Sequence, residues 1–151
     1  MNYRPILIVA GEPNSIFLEI FFKSIINNSF KSPLILIVSK DLLIKQMKSL
    51  GFDFKINLIN ENYPNMSKLD NKKINIINVN YNFKKSFEKI SQKSNNYIAQ
   101  CFKLALKIIK KNRYLKLING PIVKKSFLNE KFLGITEYLA QKTKKKNKVV
   151  M

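Results

Sequence analysis

The 151-residue sequence has no histidine, no tryptophan, one cysteine, four glycines and two arginines. Each scarcity excludes something. Without histidine the chain cannot assemble the usual serine or cysteine triads or an imidazole-rich zinc site from its own residues. One cysteine, Cys101, allows neither an internal disulfide nor a thiolate metal cluster, and its setting in a helical pattern suits a small core residue. With so few glycines there is no G-x-x-x-x-G-K-S/T phosphate loop, and the first apolar run is not followed by G-x-G-x-x-G. No stretch approaches the roughly 18 continuous apolar residues of a membrane span. The N-terminus, Met1 to Pro5, runs into a short apolar segment without the h-region and cleavage site of a signal peptide, so a cytoplasmic protein with no membrane partner is expected.

What is present is apolar residues and lysine. Hydrophobic residues make up 46% of the chain, a globular composition. Lysine and arginine total 28 against 9 acidic residues, a net charge of +19. Such a charge raises nucleic acid or another polyanion as a partner, and a non-enzymatic basic α/β module binding RNA is one reading of the chain. Only Arg4 and Arg113 carry the guanidinium fork that base readout favours, however, and the aromatics sit at core-like positions. The abundance of Lys, Asn, Ile, Phe and Tyr is that of A/T-rich codons. We therefore expect no nucleic acid, while the lysines favour anionic small molecules such as phosphate esters.

Apolar runs alternate with helical periodicity along the chain. Pro5 to Ala10 and Leu34 to Val38 are continuous and β-branched, the pattern of strands buried on both faces. A weaker strand is expected near Phe54 to Ile59, and further strands at Ile74 to Val79 and Tyr114 to Ile118. Between them, Ile16 to Asn27 is predicted helical with Ile16, Phe17, Ile20, Phe21, Ser24 and Ile25 inward and Asn14 or Ser15 as cap. A second helix follows a cap at Ser39 or Asp41 and ends at Gly51, where glycine relieves a left-handed conformation. Residues 60–73 read as a loop. The longest helix opens at Ser91 or Ser94 and runs to about Lys111, with Ile98, Cys101, Phe102, Ala105, Ile108 and Ile109 on one face. Short helices begin at Lys124 and at Thr136, the latter running to Lys142. The run Lys144 to Lys146 reads as a solvated loop, and Lys148 to Met151 as the start of another strand. The fold class is α/β, layered α/β/α with a mostly parallel sheet.

In such folds ligands meet the carboxyl ends of the strands. Two loops fall there, Gly11 to Ser15 and Asn119 to Lys125. Gly11-Glu12-Pro13 is either an ordinary strand-to-helix turn or a ligand-facing one. Asn119-Gly120-Pro121 could offer backbone N–H groups and the ammonium of Lys124 or Lys125 to a phosphate. Thr136-Glu137, after Gly134, fits a helix cap whose hydroxyl or amides could also face a ligand.

These segments, taken together and in order, resemble a known family. Val9-Ala10-Gly11-Glu12-Pro13 with Ile16 and Glu19 resembles the G-D/E-P-A-G-I-G-P-E opening of the 4-hydroxythreonine-4-phosphate dehydrogenases of pyridoxal phosphate (vitamin B6) biosynthesis. Asn119-Gly120-Pro121-Ile122-Val123-Lys124 is similar to the family's T-G/A-P-V/I-x-K loop. Phe132-Leu133-Gly134-Ile135-Thr136-Glu137-Tyr138-Leu139 resembles its G-H-T-E-F/Y-L segment, and Lys148 to Met151 its following V-V-M-M-L strand. The resemblance covers residues 1–151 as the N-terminal portion of a two-domain subunit, about the first half. It implies NAD-dependent oxidation of 4-phosphooxy-threonine with a divalent metal, in a cleft of a homodimer. Thr136 would contact the phosphorylated substrate, with Lys124 as a further candidate, and Gly11 and Glu12 are the candidates for the cofactor. The family's histidine position is Ile135 here, which can neither donate a hydrogen bond nor carry charge. A related phosphate-substrate dehydrogenase of the same fold is the near variant. The family's metal-binding histidines lie beyond Met151, so the resemblance implies no catalytic residue and no metal ligand within this chain. The single chain is expected to be incomplete as an enzyme.

Overall fold

A computed structural model describes residues 3–60, 69–111, 116–128 and 131–143 of the chain. Five strands, β1 (Ile6–Val9), β2 (Leu34–Val38), β3 (Ile56–Leu58), β4 (Ile74–Asn78) and β5 (Lys116–Asn119), form one sheet in the order β3-β4-β2-β1-β5. Every pairing is parallel, with Ile8 opposite Leu36 on one side and opposite Ile118 on the other. Parallel strands need crossovers, and these bring helices to both faces, so β1 and β2 are apolar at every position, while the inner strand β4 carries Asn75 and Asn78 among its isoleucines. Leu7 and Val9 face one way with Ile35, Ile37 and Ile77, against α3 (Asn95–Lys111). Ile8 and Ala10 face the other way with Leu36, Val38 and Ile76, against α1 (Phe17–Asn27) and α2 (Lys40–Ser49). Period-two alternation thus sorts each strand into two separate cores. Two short helices, α4 (Lys124–Phe127) and α5 (Ile135–Lys142), complete the α3 side.

The layered α/β class is the one expected, and the helices fall where periodicity put them. Ser39 caps α2 by accepting from Leu42 N, and Gly51 takes φ +74° beyond its end. Two local expectations are corrected. The inward face of α1 is rotated: Leu18, Phe21 and Phe22 are buried, while Ile16 and Ile20 are exposed. Leu18 and Phe22 lie over the sheet, and Phe22 meets Phe52 and Phe54 at ring distances of 5.2 and 5.7 Å. The helix also begins after Ile16, which offers no side-chain cap; of the two expected caps, Ser15 Oγ accepts from Phe17 N at 3.3 Å, while Asn14 instead accepts from Glu88 N at 3.0 Å. The longest helix opens where expected: a single 3₁₀ turn at Gln92–Ser94 follows Ser91 and leads into α3, which begins directly after Ser94 and ends at Lys111. β3 is confined to three residues, and β5 is described from Lys116 onward, Tyr114 lying outside the described residues. The expectations for Lys144 to Lys146 and Lys148 to Met151, and for most of the 60–73 loop, likewise fall outside them.

Cys101 is buried in the α3 core at 1% exposure, and that burial pushes its thiol up to about 12. Tyr97, one turn earlier, accepts from Ser39 N at 2.9 Å; burial is the main reason its hydroxyl titrates well above the usual range. The core reading of Cys101 holds.

Candidate active site

β1 and β5 are neighbours, so the turns leaving them lie side by side at the carboxyl end of the sheet. They interlock. Glu12 N donates to Pro121 O at 2.8 Å, and Gly120 N donates to Val9 O at 2.7 Å. Gly11 has φ +79°, and a Cβ added there would lie 2.3 Å from Pro121 O. One added at Gly120 would lie 2.1 Å from Ala10 O. Both glycines are therefore required by backbone packed against backbone, and no ligand-sized gap remains between the turns at this point.

Glu12 is 3% exposed, unusual for a carboxylate. Its Oε2 accepts from Ser94 Oγ at 2.6 Å and its Oε1 from Asn14 N at 3.2 Å. Ser94 Oγ also lies 2.9 Å from Ser91 O, and its single proton goes to the nearer, charged acceptor. No ion pair involves Glu12 among the described residues; hydrogen bonds alone hold the buried group. Burial raises the nearby Tyr81 hydroxyl, and the charges of Glu12 and Glu88 add to that, against a lowering bond from the Asn14 side chain.

Lys124 and Lys125 open α4 and are exposed, with no acidic partner among the described residues. Gly120 N is spent on Val9 O and Pro121 has no N–H, so the loop's remaining donors begin at Ile122. At α5 the capping position is Gly134, without a side-chain hydrogen bond, which corrects the expectation of a cap at Thr136. Thr136 instead lies in the first turn with its side chain exposed. Ile135 is half-buried and packs against the α3 core, so its side chain serves packing. Glu137 stands in the first turn, where a carboxylate favours the helix dipole.

An aromatic cluster that sequence reading did not single out joins these two helices. Phe127 of α4 and Tyr138 of α5 stand 5.3 Å apart at ring centroids, and both meet Phe102 of α3, at 6.0 and 5.8 Å. Phe132 closes the cluster edge-on to Tyr138 at 5.6 Å. Lys124 and Thr136 thus ride on helices fixed to a shared support, whereas Gly11 and Glu12 lie inside the packed turns. Ser94, expected only to open a helix, and Asn95, which sequence reading did not single out, anchor this region: Asn95 Nδ2 donates to Ser126 O at 2.8 Å. Their partners are 82 and 31 residues away, so only the folded chain could disclose them. Among the described residues no group of three His, Cys, Asp or Glu side chains could hold a metal ion, and no helix is long and apolar enough to cross a membrane.

A parallel α/β unit with helices on both faces and paired loops at the carboxyl end of its strands has the doubly wound architecture. The chain belongs to the family described as pyridoxal phosphate biosynthetic protein PdxA, whose model matches residues 29–151. It is similar in fold to a 4-hydroxythreonine-4-phosphate dehydrogenase from Burkholderia phymatum, at 18% identity and a TM-score of 0.75, over 94% of this chain and 44% of that one. A 4-hydroxythreonine-4-phosphate dehydrogenase from Klebsiella pneumoniae aligns at 16% identity and a TM-score of 0.77, again over 94% of this chain and 44% of its own. The chain therefore spans less than half the length of these structures. Among curated proteins no sequence is a significant match.

Proposed function

We propose that the chain supplies the N-terminal, phosphate-facing part of an NAD-dependent 4-hydroxythreonine-4-phosphate dehydrogenase, acting on 4-phosphooxy-threonine in the cytoplasm as part of a homodimer. The family match over residues 29–151, which include both Lys124 and Thr136, carries this reading. The two side chains are exposed on helices joined through Phe127 and Tyr138, which suits a pair that meets a ligand together. In this reading the Lys124 ammonium meets the substrate phosphate as a point charge and Thr136 Oγ1 donates or accepts one orienting hydrogen bond. Ile135, turned into packing, leaves the histidine contact of the family unmatched.

The divalent metal of the proposed reaction does not fit the described residues, which hold no ligand cluster for it, and the sequence contains no histidine. NAD does not fit Gly11 and Glu12 as they stand: Pro121 O closes on the first, and the carboxylate of the second is buried on Ser94 and Asn14. In this reading both groups are held by the remainder of the family's longer subunit. This chain's own contribution is to bind and orient the phosphorylated end of the substrate.

The test is complementation. The chain, with 4-phosphooxy-threonine, NAD and a divalent metal, should form no NADH alone and should form it when the C-terminal half of a family member is co-expressed. Replacing Lys124 by Gln should then raise KM with little change in kcat. Metal-dependent NADH formation by this chain alone would overturn the division of labour, and a complemented enzyme indifferent to both Lys124→Gln and Thr136→Val would overturn the site.

A further inference from the structure

A lysine grips an anion well only if the backbone beneath it is fixed. α4 has four residues, too few to hold a helical shape unaided. Its last carbonyls also lack intrahelical partners and must find others. Two bonds from outside hold the segment. At its start, Pro121 O accepts from Glu12 N at 2.8 Å. At its end, Ser126 O accepts from Asn95 Nδ2 at 2.8 Å. Ser126 Oγ stays near, 3.5 Å from Asn95 Oδ1, while also bonding back to Val123 O at 3.4 Å.

The two clamps have a common root. Ser94, bonded to the Glu12 carboxylate at 2.6 Å, is the residue immediately before Asn95. Asn95 in turn is the first residue of α3, whose core face is buried along its length, so its amide projects from a rigid element. Glu12, Ser94 and Asn95 form one connected chain of contacts running from the β1 turn, through the start of α3, to the far end of α4.

From this geometry we infer that Asn95 is a positioning residue: it fixes the segment carrying Lys124 so that its ammonium is held toward a phosphate ester. The inference rests on the reading that Lys124 meets the substrate phosphate. It gives Asn95 no contact with ligand, and it gives Glu12 the role of a buried strut for the same loop in place of a cofactor contact. Losing the Asn95 amide frees Ser126 O and lets the last turn of α4 fray, leaving Lys124 in place in sequence and out of register in space.

The experiment follows the backbone amides of residues 122–127 by NMR while the 151-residue chain is titrated with inorganic phosphate and then with 4-phosphooxy-threonine. Melting temperatures are recorded for each variant. The unaltered chain should show saturable shifts at these amides, and Asn95→Ala should weaken binding by about fivefold or more. Asn57→Ala, which removes an amide bond of 2.8 Å to Asn75 on the far edge of the sheet, should leave the affinity unchanged at a similar loss of melting temperature. Affinity that falls for Asn95→Ala and not for Asn57→Ala supports positioning, because general destabilisation would lower both. If the unaltered chain binds phosphate at these amides and Asn95→Ala binds it equally well, the positioning role is overturned and the reading of Lys124 stands. If the unaltered chain shows no saturable shift there, the reading of Lys124 itself is overturned.

Discussion

Gly11 and Gly51 have nearly the same backbone, φ +79° and +74°, and opposite surroundings. Nothing lies within 4 Å of a Cβ added at Gly51, whereas one at Gly11 would stand 2.3 Å from Pro121 O and 2.9 Å from Gly120 C. Gly51→Ala therefore meets only the cost of a left-handed alanine, about 1 kcal/mol. Gly11→Ala meets that cost and a steric one besides. Real Cβ contacts hardly fall below 3.0 Å, so the Pro121 carbonyl must retreat by at least 3.0 − 2.3, or 0.7 Å. That movement pulls apart the 2.8 Å bond from Glu12 N, and a buried donor left unpaired costs about 1–3 kcal/mol. The sum for Gly11→Ala is about 2–4 kcal/mol. With a urea m-value of about 2 kcal/mol/M, the midpoint should fall by about 1–2 M for Gly11→Ala and by about 0.5 M for Gly51→Ala. Urea titration monitored by far-UV circular dichroism measures both. Equal losses in the two variants would refute the argument, because they would mean that backbone conformation alone, and not the close approach of the β5 loop, requires glycine at position 11.

Three further outcomes are expected. Because burial raises the Cys101 thiol from 9.0 in the unfolded chain to about 12, the folded state binds more protons between those values. Its contribution is thus fully present below about pH 9 and is lost as pH rises toward 12, at about 1.4 kcal/mol per pH unit within that window; stability measured against pH should fall less steeply there for Cys101→Ala, and parallel curves would contradict the assignment. Gln46 is fully buried, and its Nε2 donates to Pro13 O and Ser86 O at 2.8 and 2.7 Å while its Oε1 has no partner. Gln46→Met keeps the volume and strips two carbonyls of their donor, so it should cost about 1–3 kcal/mol and speed amide exchange at Glu88; a neutral or stabilising result would show that the orphaned oxygen outweighs both bonds. Phe127→Ala, which removes the ring between Phe102 and Tyr138, should cost about 2–4 kcal/mol and weaken phosphate binding at Lys124, and unchanged phosphate affinity would detach the aromatic cluster from the site.

The layered α/β fold could be read from the chain because its signals are local. Runs such as Ile6 to Val9 and Leu34 to Val38 must be buried on both faces, and only a parallel sheet between helices does that for several short strands. Gly51 and Ser39 could be read for the same reason, each acting within four residues of itself. The rotation of α1 could not. Its apolar residues span more than one face, and the choice of Leu18 and Phe22 over Ile16 and Ile20 is made by the sheet and by Phe52 and Phe54, which no helical period contains.

By itself, then, the sequence determined the element types, the parallel sheet and the core place of Cys101, and it showed that these 151 residues supply no histidine. It also marked Gly11, Glu12, Lys124 and Thr136 by their positions after strands and before helices. Only the tertiary structure decided which of them face outward. Glu12 is buried because Ser94, 82 residues later, arrives within 2.6 Å. Lys124 and Thr136 stay exposed because Phe127 and Tyr138 turn inward beside them. The physical reason is one of range: propensity and periodicity act over a few residues, while burial of a given side chain depends on which distant segment packs against it.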